Sequence, residues 1–439
     1  MKHPKHKHAA PRGPSLITAL VANAAGEIFD LPGFAAVGSD GPLLAPLNVP
    51  ETREMPFGGE LMYLPDRIPL LYDIRRKHIA AFAENPYVPG QAIFPVSAFN
   101  SPGYAIAFTS AYEERSEADF LPLFSYGAVG WHRGKFRSAV IQVDDEPRQD
   151  LRQMPFEKIK AGIQRLRKQL PDNRLRAHLE NCAVTYGCPA GKNFFLGRYE
   201  APLPTSSTCN ARCLGCISFQ PEGCMASSQN RINFSPTPQE VAEIALAHIR
   251  RVDHAVVSFG QGCEGDPLMA AETIREAIGR IRAETDRGTI NMNTNGSLPH
   301  VLAPLFDAGL DSVRISLNSV REPCYTAYFR PRGYSLADVI ASIDTALARG
   351  KHVAINYLHC PGLTDLPEER DALLTFLYSH PIQMIQWRNL NFDPQRYLKR
   401  MGQTAASSTP IGMQRLLDEI RQAFPLLRYG YFNPPKEKF

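Results

Sequence analysis

The chain has 439 residues, of which 44% are hydrophobic and 21% are charged, and its formal net charge is +4. This is the composition of an ordinary globular protein of two or three domains, and it excludes collagen, a coiled coil and a disordered chain. No apolar run approaches the roughly 18–20 residues that span a bilayer, so we expect no membrane partner. The small net charge does not by itself indicate nucleic acid binding.

Residues 1–15 are basic and contain His3, His6 and His8, and a short apolar stretch follows them. This start loosely resembles a secretory signal, but the stretch is short and continues as a strand and a turn. We therefore expect a disordered basic tail. Residues 16–147 alternate short apolar stretches with Gly, Pro and Asn turns, which predicts a β-rich N-terminal domain.

Residues 148–195 are predicted to form a basic helical connector. A helix is indicated by apolar residues three or four positions apart. These residues are Phe156, Ile159, Ile163, Leu166 and Leu170. Between Arg148 and Glu180 there are nine Lys or Arg against four Asp or Glu. Such a surface could contact phosphates, but it is more typical of a solvated helix face.

Helices and strands alternate after a predicted capping box at Thr237–Glu240. The predicted strands are 255–260, 289–296, 312–318, 352–358 and 383–390, and the longer predicted helices are 268–285, 336–349 and 367–379. With one strand before the cysteines, this pattern predicts a six-stranded, open (partial) βα barrel over 196–395. Its site is expected at the carboxyl ends of the strands. Residues 396–439 are expected to add a helix and a strand.

Cysteines are sparse but clustered: there are nine, none in the first 181 residues and seven between Cys182 and Cys263. This distribution is typical of metal binding in a reducing compartment, so we expect a cytoplasmic protein. Three of them form the pattern Cys209-Asn-Ala-Arg-Cys213-Leu-Gly-Cys216. Three thiolates at this spacing can hold three corners of a [4Fe–4S] cluster and leave one iron open. Zinc remains an alternative, with Cys224 as a fourth ligand.

The cysteine spacing is the hallmark of the radical SAM superfamily, which this chain resembles over residues 196–395. Four further stretches resemble motifs of that family, in the same order along the chain. They are Ser258–Leu268 after the second strand, Asn293–Gly296 after the third, Ser316–Asn318 after the fourth and Asn356–Asp365 after the fifth.

The resemblance implies a [4Fe–4S] cluster on Cys209, Cys213 and Cys216, with S-adenosylmethionine bound at the open iron. Cofactor contacts are implied for the backbone at Gly215, the Gly262-Cys263-Glu264 stretch, Asn293 and Asn295 of the third motif, and the ribose motif residues Ser316 and Asn318. Two departures from the family pattern are visible. Gly215 stands where an aromatic residue is usual, and Asp266 could replace Glu264 as the partner of the methionine amino group.

The reaction implied by the resemblance is reductive cleavage of S-adenosylmethionine to a 5′-deoxyadenosyl radical, which abstracts a substrate hydrogen. The implied partners are S-adenosylmethionine, a reductant such as flavodoxin or ferredoxin, and an unknown substrate that could be a small molecule, a peptide or RNA. Five polar residues are candidates for the substrate side: Arg330, Arg332, Arg388, Asn389 and Asn391.

Three alternatives stay open at this stage. An RNA-modifying methyltransferase of the same superfamily would need Cys324 or Cys360 as a methyl carrier. A non-enzymatic iron–sulfur or zinc protein would use the same cysteines without the glycine and ribose motifs. A second cluster on Cys182, Cys188 and Cys224 is the third possibility.

Overall fold

The computed structural model describes residues 15–222, 225–402 and 408–439, with only the backbone of Gln149. The predicted basic tail, apart from Ser15, and Cys224 lie outside the described residues. The described chain divides into two compact units. The first comprises the residues up to Asn100, Ile106–Asp119 and Tyr126–Ile141, and the second comprises Ser101–Ala105, Phe120–Ser125 and Gln142–Phe439. Within the described ranges, no helix has the length and apolar character needed to cross a membrane.

The N-terminal region is rich in short strands, which confirms that part of the prediction. Its strands are β1 Thr18–Ala22, β2 Ile28–Ala35, β3 Val37–Asp40, β4 Leu43–Pro46, β5 Arg53–Glu54, β6 Glu60–Tyr63, β7 Arg67–Asp73, β8 His78–Ala81, β9 Phe94–Phe99, β10 Tyr104–Ile106, β11 Thr109–Ser110, β12 Tyr112–Glu114, β13 Val129–His132, β14 Lys135–Ser138 and β15 Val140–Gln142. Strand β1 pairs antiparallel with β2, β9 and β13. The β13–β14 hairpin turns at Arg133 and Gly134, both with positive φ, as a tight two-residue hairpin requires.

Three helices connect this region to the parallel sheet: α1 Phe156–Gln169, α2 Arg174–Val184 and α3 Pro189–Leu196. Ile159, Ile163 and Leu166 are buried, as the helical periodicity predicts. Phe156, at the first position of α1, is 48% exposed and instead lies under the ammonium of Lys160. The first turn of α1 therefore does not continue the buried face.

The second unit is built on a parallel sheet of seven strands, in the order β16 to β22. The strands are β16 Glu200–Pro202, β17 Val256–Phe259, β18 Thr289–Thr294, β19 Ser312–Leu317, β20 His352–His359, β21 Met384–Asn389 and β22 Arg428–Tyr429. The remaining helices are α4 Pro238–Ile249, α5 Ala271–Glu284, α6 Pro299–Ala308, α7 Glu322–Phe329, α8 Leu336–Ala348, α9 Pro367–Ser379, α10 Pro394–Arg400 and α11 Met413–Ala423. Short 3₁₀ turns cover Pro147–Gln149, Leu151–Gln153, Pro267–Ala270 and Lys436–Lys438.

The α/β fold class is confirmed, and the region 196–395 contains the six predicted strands, β16 to β21. The seventh strand, β22, comes from the C-terminal extension and pairs with β21 through Met384 and Arg428. The expected helix and strand of the extension are therefore present, and the strand extends the sheet by one position.

The two faces of the parallel sheet differ in polarity. One face carries fully buried apolar residues such as Val257, Met292 and Ile315. The other, which we call the inner face, carries the alternate residues, and these are polar. In sheet register they include Ser258, Asn291 and Ser312 in one row, Asn293 and Arg314 in the next, and Ser316, Asn356 and Gln386 in a third. Parallel sheets normally bury apolar residues on both faces, so a polar face indicates a functional interior.

The capping box at the start of α4 has a testable role in stability. Thr237 and Glu240 cap each other, and the Glu240 carboxylate also accepts two hydrogen bonds from Arg174, of 2.8 and 2.7 Å. The Arg174 hydrogen bond, followed by backbone N–H groups, lowers the pKa of Glu240 to about 2. Since this value lies below that of the unfolded chain, the stabilisation is complete above the unfolded pKa and is lost as the pH falls toward 2.

We expect Glu240→Gln to lower the free energy of unfolding by about 1–2 kcal/mol at pH 7. The difference in unfolding free energy should narrow when urea unfolding is repeated near pH 3.5, because the Glu240 carboxylate of the wild type takes up a proton in the unfolded chain while it stays ionised in the folded one. Glu284→Gln is the matched control, since the pair formed by Glu284 with Arg250 is exposed. An equal difference in unfolding free energy between the wild type and Glu240→Gln at both pH values would contradict the stabilising role of the Glu240 charge.

Candidate active site

The three cysteines lie in a loop that follows β16, residues 203–217, which we call the cysteine loop. Backbone hydrogen bonds hold it against the end of α7. The N–H of Arg212 donates to the carbonyl of Phe329 at 2.9 Å, and the N–H of Leu214 donates to that of Tyr328 at 3.1 Å. The N–H of Arg332 donates to the carbonyl of Asn210 at 2.9 Å. The loop is therefore fixed at the carboxyl ends of the parallel strands, where the βα pattern predicted the site.

Cys209, Cys213 and Cys216 are free, half-buried thiols. Burial raises the pKa of Cys213 well above its usual range and that of Cys209 to about 11, where the charge of Asp266 adds to the effect. Both effects favour the neutral thiol of Cys209 and of Cys213 until a metal deprotonates them. Three thiols in one loop can each ligate a different iron of a cluster.

Gly215 is closely surrounded, which explains the departure from an aromatic residue at this position. Its carbonyl accepts a hydrogen bond of 2.8 Å from the Asn391 side chain. A Cβ at Gly215 would lie 2.7 Å from Asn391 Oδ1 and 3.1 Å from Tyr328 Oη, so a larger side chain does not fit. Asn391, predicted as a substrate-side residue, thus contacts the cysteine loop.

Glu264 joins the loop after β17 to the cysteine loop. One carboxylate oxygen accepts from the N–H groups of Thr205 and Ser206, at 2.7 and 2.9 Å. The other accepts from those of Gly260 and Gln261, at 2.8 and 2.7 Å. The residue is 4% exposed, and burial raises its pKa to about 7 while the four N–H groups act in the opposite direction. Its binding of a methionine amino group stays a prediction, because both oxygens already accept two hydrogen bonds.

Asp266, in the loop after β17, forms hydrogen bonds with residues at the end of β18. Its carboxylate accepts from Thr294 Oγ1 at 2.8 Å and from the N–H groups of Asn295 and Leu268 at 2.7 and 3.0 Å. The Asn295 side chain in turn donates to Asn210 Oδ1 at 2.8 Å. Asn295 therefore contacts the cysteine loop, and Asp266 holds it there.

The other predicted cofactor residues lie along the strand ends. Asn293 donates to the carbonyl of Gly260 at 3.0 Å, and Asn356 donates to Ser316 Oγ at 3.4 Å. The buried Oδ1 of Asn356 has no partner among the described residues. Gly262 packs against Ile217 of the cysteine loop, 2.6 Å from the position of an added Cβ.

Asn318 and Cys263 lie in separate surroundings. The Asn318 amide donates to the carbonyl of Cys324 and to Tyr397 Oη, both at 3.1 Å, and its buried Oδ1 has no partner within the described ranges. The Cys263 thiol contacts Cys182 of helix α2, and its contact with S-adenosylmethionine stays a prediction.

The arginines divide into two groups. Arg330 donates to the carbonyl of Arg212 and so supports the cysteine loop. Arg314 and Arg388 belong to the inner face, and both donate to Tyr431 of the C-terminal segment, Arg314 to its carbonyl and Arg388 to its hydroxyl. Burial, together with the charge of Arg388, lowers the pKa of Arg314 to about 10. Of the remaining substrate-side candidates, Asn389 donates to the carbonyl of Tyr104.

Sequence reasoning missed several residues around the cysteines. The aromatic residues Tyr325, Tyr328 and Tyr334 have pKa values raised by burial, and a negative charge on Cys213 would raise these pKa values further. Arg231 lies 3.5 Å from Cys216 Sγ. Arg314 could have been identified from the sequence, because it alternates with Ser312 and Ser316 along one predicted strand.

A close approach at Gly265 gives a direct test of the loop packing. A methyl group on Gly265 would overlap the carbonyl of Thr208, the residue before Cys209. We expect Gly265→Ala to displace the cysteine loop and to lower iron content after anaerobic reconstitution to below about half of the wild-type value. Gly279→Ala is the control, since an added Cβ there meets nothing within 4 Å. Full iron content in Gly265→Ala would show that the loop does not need this contact.

The residues present fit a [4Fe–4S] cluster and a polar ligand. Three free thiols lie in one loop, and buried oxygens of Asn318 and Asn356 lack partners in the described chain. A buried polar atom without a partner is costly unless a ligand or water satisfies it. The chemistry of both donor sets therefore agrees with the two cofactors expected from the sequence.

Comparison with known proteins leads to the same assignment. The family model of the radical SAM superfamily matches residues 203–377, and members of this family bind a [4Fe–4S] cluster and S-adenosylmethionine. A GTP 3′,8-cyclase of Corynebacterium glutamicum is 33% identical over 181 residues, covering 39% of this chain and 44% of that protein. The molybdenum cofactor biosynthesis protein 1 of Drosophila melanogaster is 28% identical over 232 residues, covering 52% of this chain and 37% of that protein.

The chain thus spans less than half the length of these two relatives. Among solved structures, a radical SAM methyltransferase from Sphaerobacter thermophilus has a TM-score of 0.38 at 15% identity, covering 53% of this chain and 65% of that one. On the family match, residues 203–377 of this chain are a domain of the radical SAM superfamily.

Proposed function

We propose that this chain is a radical SAM enzyme in which Cys209, Cys213 and Cys216 hold a [4Fe–4S] cluster. When bound and reduced, the cluster supplies one electron that cleaves S-adenosylmethionine to methionine and a 5′-deoxyadenosyl radical, which takes a hydrogen atom from the substrate. The observation that carries this proposal is the set of three free thiols in one loop at the carboxyl ends of a parallel sheet.

The surrounding residues position the cofactors. Glu264 and Asp266 fix the loops on which the cysteines and Asn295 are held. Tyr325 and Tyr328 are buried residues of α7, the helix against which the cysteine loop is held. The unpartnered Oδ1 atoms of Asn318 and Asn356 can accept hydrogen bonds from ribose hydroxyls or from substrate. Orientation of the reacting groups and exclusion of competing reactions are the protein's contributions in such enzymes.

A polar, anionic small molecule is the substrate class that the inner face supports. Arg314 and Arg388 both reach Tyr431, and repulsion between their charges contributes to the lowered pKa of Arg314. An anion placed beside two such cations relieves this repulsion. A nucleotide has this charge, in agreement with the GTP that the related GTP 3′,8-cyclases are named for.

The RNA-methylating alternative has no support from the cysteines it requires. Cys324 is 4% exposed and Cys360 is fully buried. Burial raises the pKa of Cys324 to about 12, which disfavours a reactive thiolate. We also propose a flavodoxin- or ferredoxin-type electron donor and a cytoplasmic location, because a cluster with an open iron needs a reducing compartment.

The proposal is tested by anaerobic reconstitution with iron and sulfide, reduction with dithionite and chromatography for 5′-deoxyadenosine. We expect its formation to require S-adenosylmethionine and to increase when GTP is added as a probe of the anionic substrate class. A fully loaded cluster that produces no 5′-deoxyadenosine, with or without nucleotide, would contradict the enzymatic assignment. If the amount of 5′-deoxyadenosine were the same with and without GTP, only the proposed substrate class would be contradicted.

A further inference from the structure

A second group of metal-binding side chains lies outside the cysteine loop. His178 and Cys182 are four residues apart on α2 and therefore share one helix face. Cys263, from the loop after β17, completes the group although it is more than 80 residues away in sequence. The three ligand atoms all lie within 4.8 Å of one another, with Cys182 Sγ 3.5 Å from His178 Nε2.

These distances match a single tetrahedral ion. With Zn–S of about 2.3 Å and Zn–N of about 2.0–2.1 Å, ligand atoms on one zinc lie about 3.6–3.8 Å apart. The observed separation of 3.5 Å between sulfur and nitrogen agrees with this value.

The side chains of this second group are mostly buried, as is usual for the ligands of a structural metal ion. Cys182 is 2% exposed and Cys263 is 5% exposed, while the imidazole of His178 is half-buried. Two buried cysteine sulfurs beside an imidazole nitrogen are a donor set that suits zinc.

A structural zinc ion normally has four ligands, so these three side chains leave one position. Cys188 follows the end of α2, and its N–H donates to the carbonyl of Cys182 at 3.0 Å, which holds its backbone beside the group. Cys224 lies outside the described residues.

We propose that His178, Cys182 and Cys263 bind one structural Zn²⁺, separate from the cysteine loop. The ion would join α2 to the loop after β17. Because Cys263 directly precedes Glu264, the metal would also fix the carboxylate that holds the cysteine loop. Zinc neither gains nor loses an electron in this role, so no redox partner is needed.

The test uses the full chain with Cys209, Cys213 and Cys216 all replaced by alanine, so that the proposed function cannot affect the result. We expect about one zinc per chain by elemental analysis of this protein, because the proposed site is intact. Replacement by Co²⁺ should produce thiolate-to-cobalt absorption. Adding His178→Gln or Cys182→Ala should lower the zinc content to below about a tenth. Cys324→Ala removes a buried thiol elsewhere and should leave zinc unchanged.

His178→Gln is included because this half-buried position tolerates substitution better than the buried cysteine, and circular dichroism of each variant verifies its fold. The proposal is overturned if the triple-alanine protein is folded but holds no zinc, or if its zinc is unaffected by both substitutions. Iron and sulfide bound in place of zinc would identify a second cluster instead. A Cys182–Cys263 disulfide found by mass spectrometry in freshly purified protein would also overturn it.

Discussion

Cys213→Ala is expected to abolish 5′-deoxyadenosine formation, with a loss of more than about 100-fold and most of the reconstituted iron missing. Cys213 is the central thiol of the loop, and its surroundings leave no substitute ligand of the same kind. Because two cysteines cannot hold a cluster that needs three protein corners, both iron content and cofactor cleavage should fall together. Iron and sulfide analysis and chromatography of the same sample measure the two effects.

Cys324→Ala is the matched control for this prediction. Cys324 is also a buried cysteine of the second unit, but it is not part of the cysteine loop. We expect wild-type iron content and wild-type product formation from it. If Cys213→Ala kept its iron and its activity, the cluster would have to be bound elsewhere in the chain. If Cys324→Ala alone lost product formation, the methyl-carrying alternative would regain support.

Glu264→Ala is expected to lower the free energy of unfolding by at least about 4 kcal/mol. The substitution leaves four backbone N–H groups without their acceptor, two of them in the cysteine loop. Each unsatisfied buried donor costs about 1–3 kcal/mol, although some of them will find water. Urea unfolding of the chain measures the loss, and reconstitution should yield a protein that retains little iron.

The control for Glu264→Ala is Glu276→Ala on helix α5. Glu276 forms an exposed ion pair with Arg280, and its removal should change stability by less than about 0.5 kcal/mol. An unfolding free energy for Glu264→Ala within about 0.5 kcal/mol of the wild type would show that the four hydrogen bonds contribute little. Glu264 would then be free for the cofactor contact that the sequence predicts.

The fold could be predicted from the sequence wherever local patterns are long. The capping box at Thr237, the strand that precedes the loop of Glu264 and the helix that begins near Leu336 are all present close to the predicted positions. The difference concerns the start of a helix. Phe156 fits the apolar spacing of α1 but is the first residue of the helix and is 48% exposed. Periodicity does not determine whether the first position of a helix is buried.

The candidate site was predictable only where the ligands are neighbours in sequence. The cysteine loop is such a case, because its spacing alone indicates a cluster. The four N–H groups on Glu264 and the meeting of His178 with Cys263 depend on tertiary packing, which sequence spacing does not encode. Arg314 could have been found, because a charged residue that alternates with serines on a buried parallel strand is itself unusual.

The most direct test of the central claim is the EPR spectrum of the reduced, reconstituted protein with and without S-adenosylmethionine. An iron that no cysteine occupies can bind the cofactor, so we expect a [4Fe–4S] signal whose shape changes when S-adenosylmethionine is added. The change should be absent from Cys213→Ala because no cluster forms there. A [4Fe–4S] signal that S-adenosylmethionine leaves unaltered, or zinc in place of iron on the cysteine loop, would contradict the account.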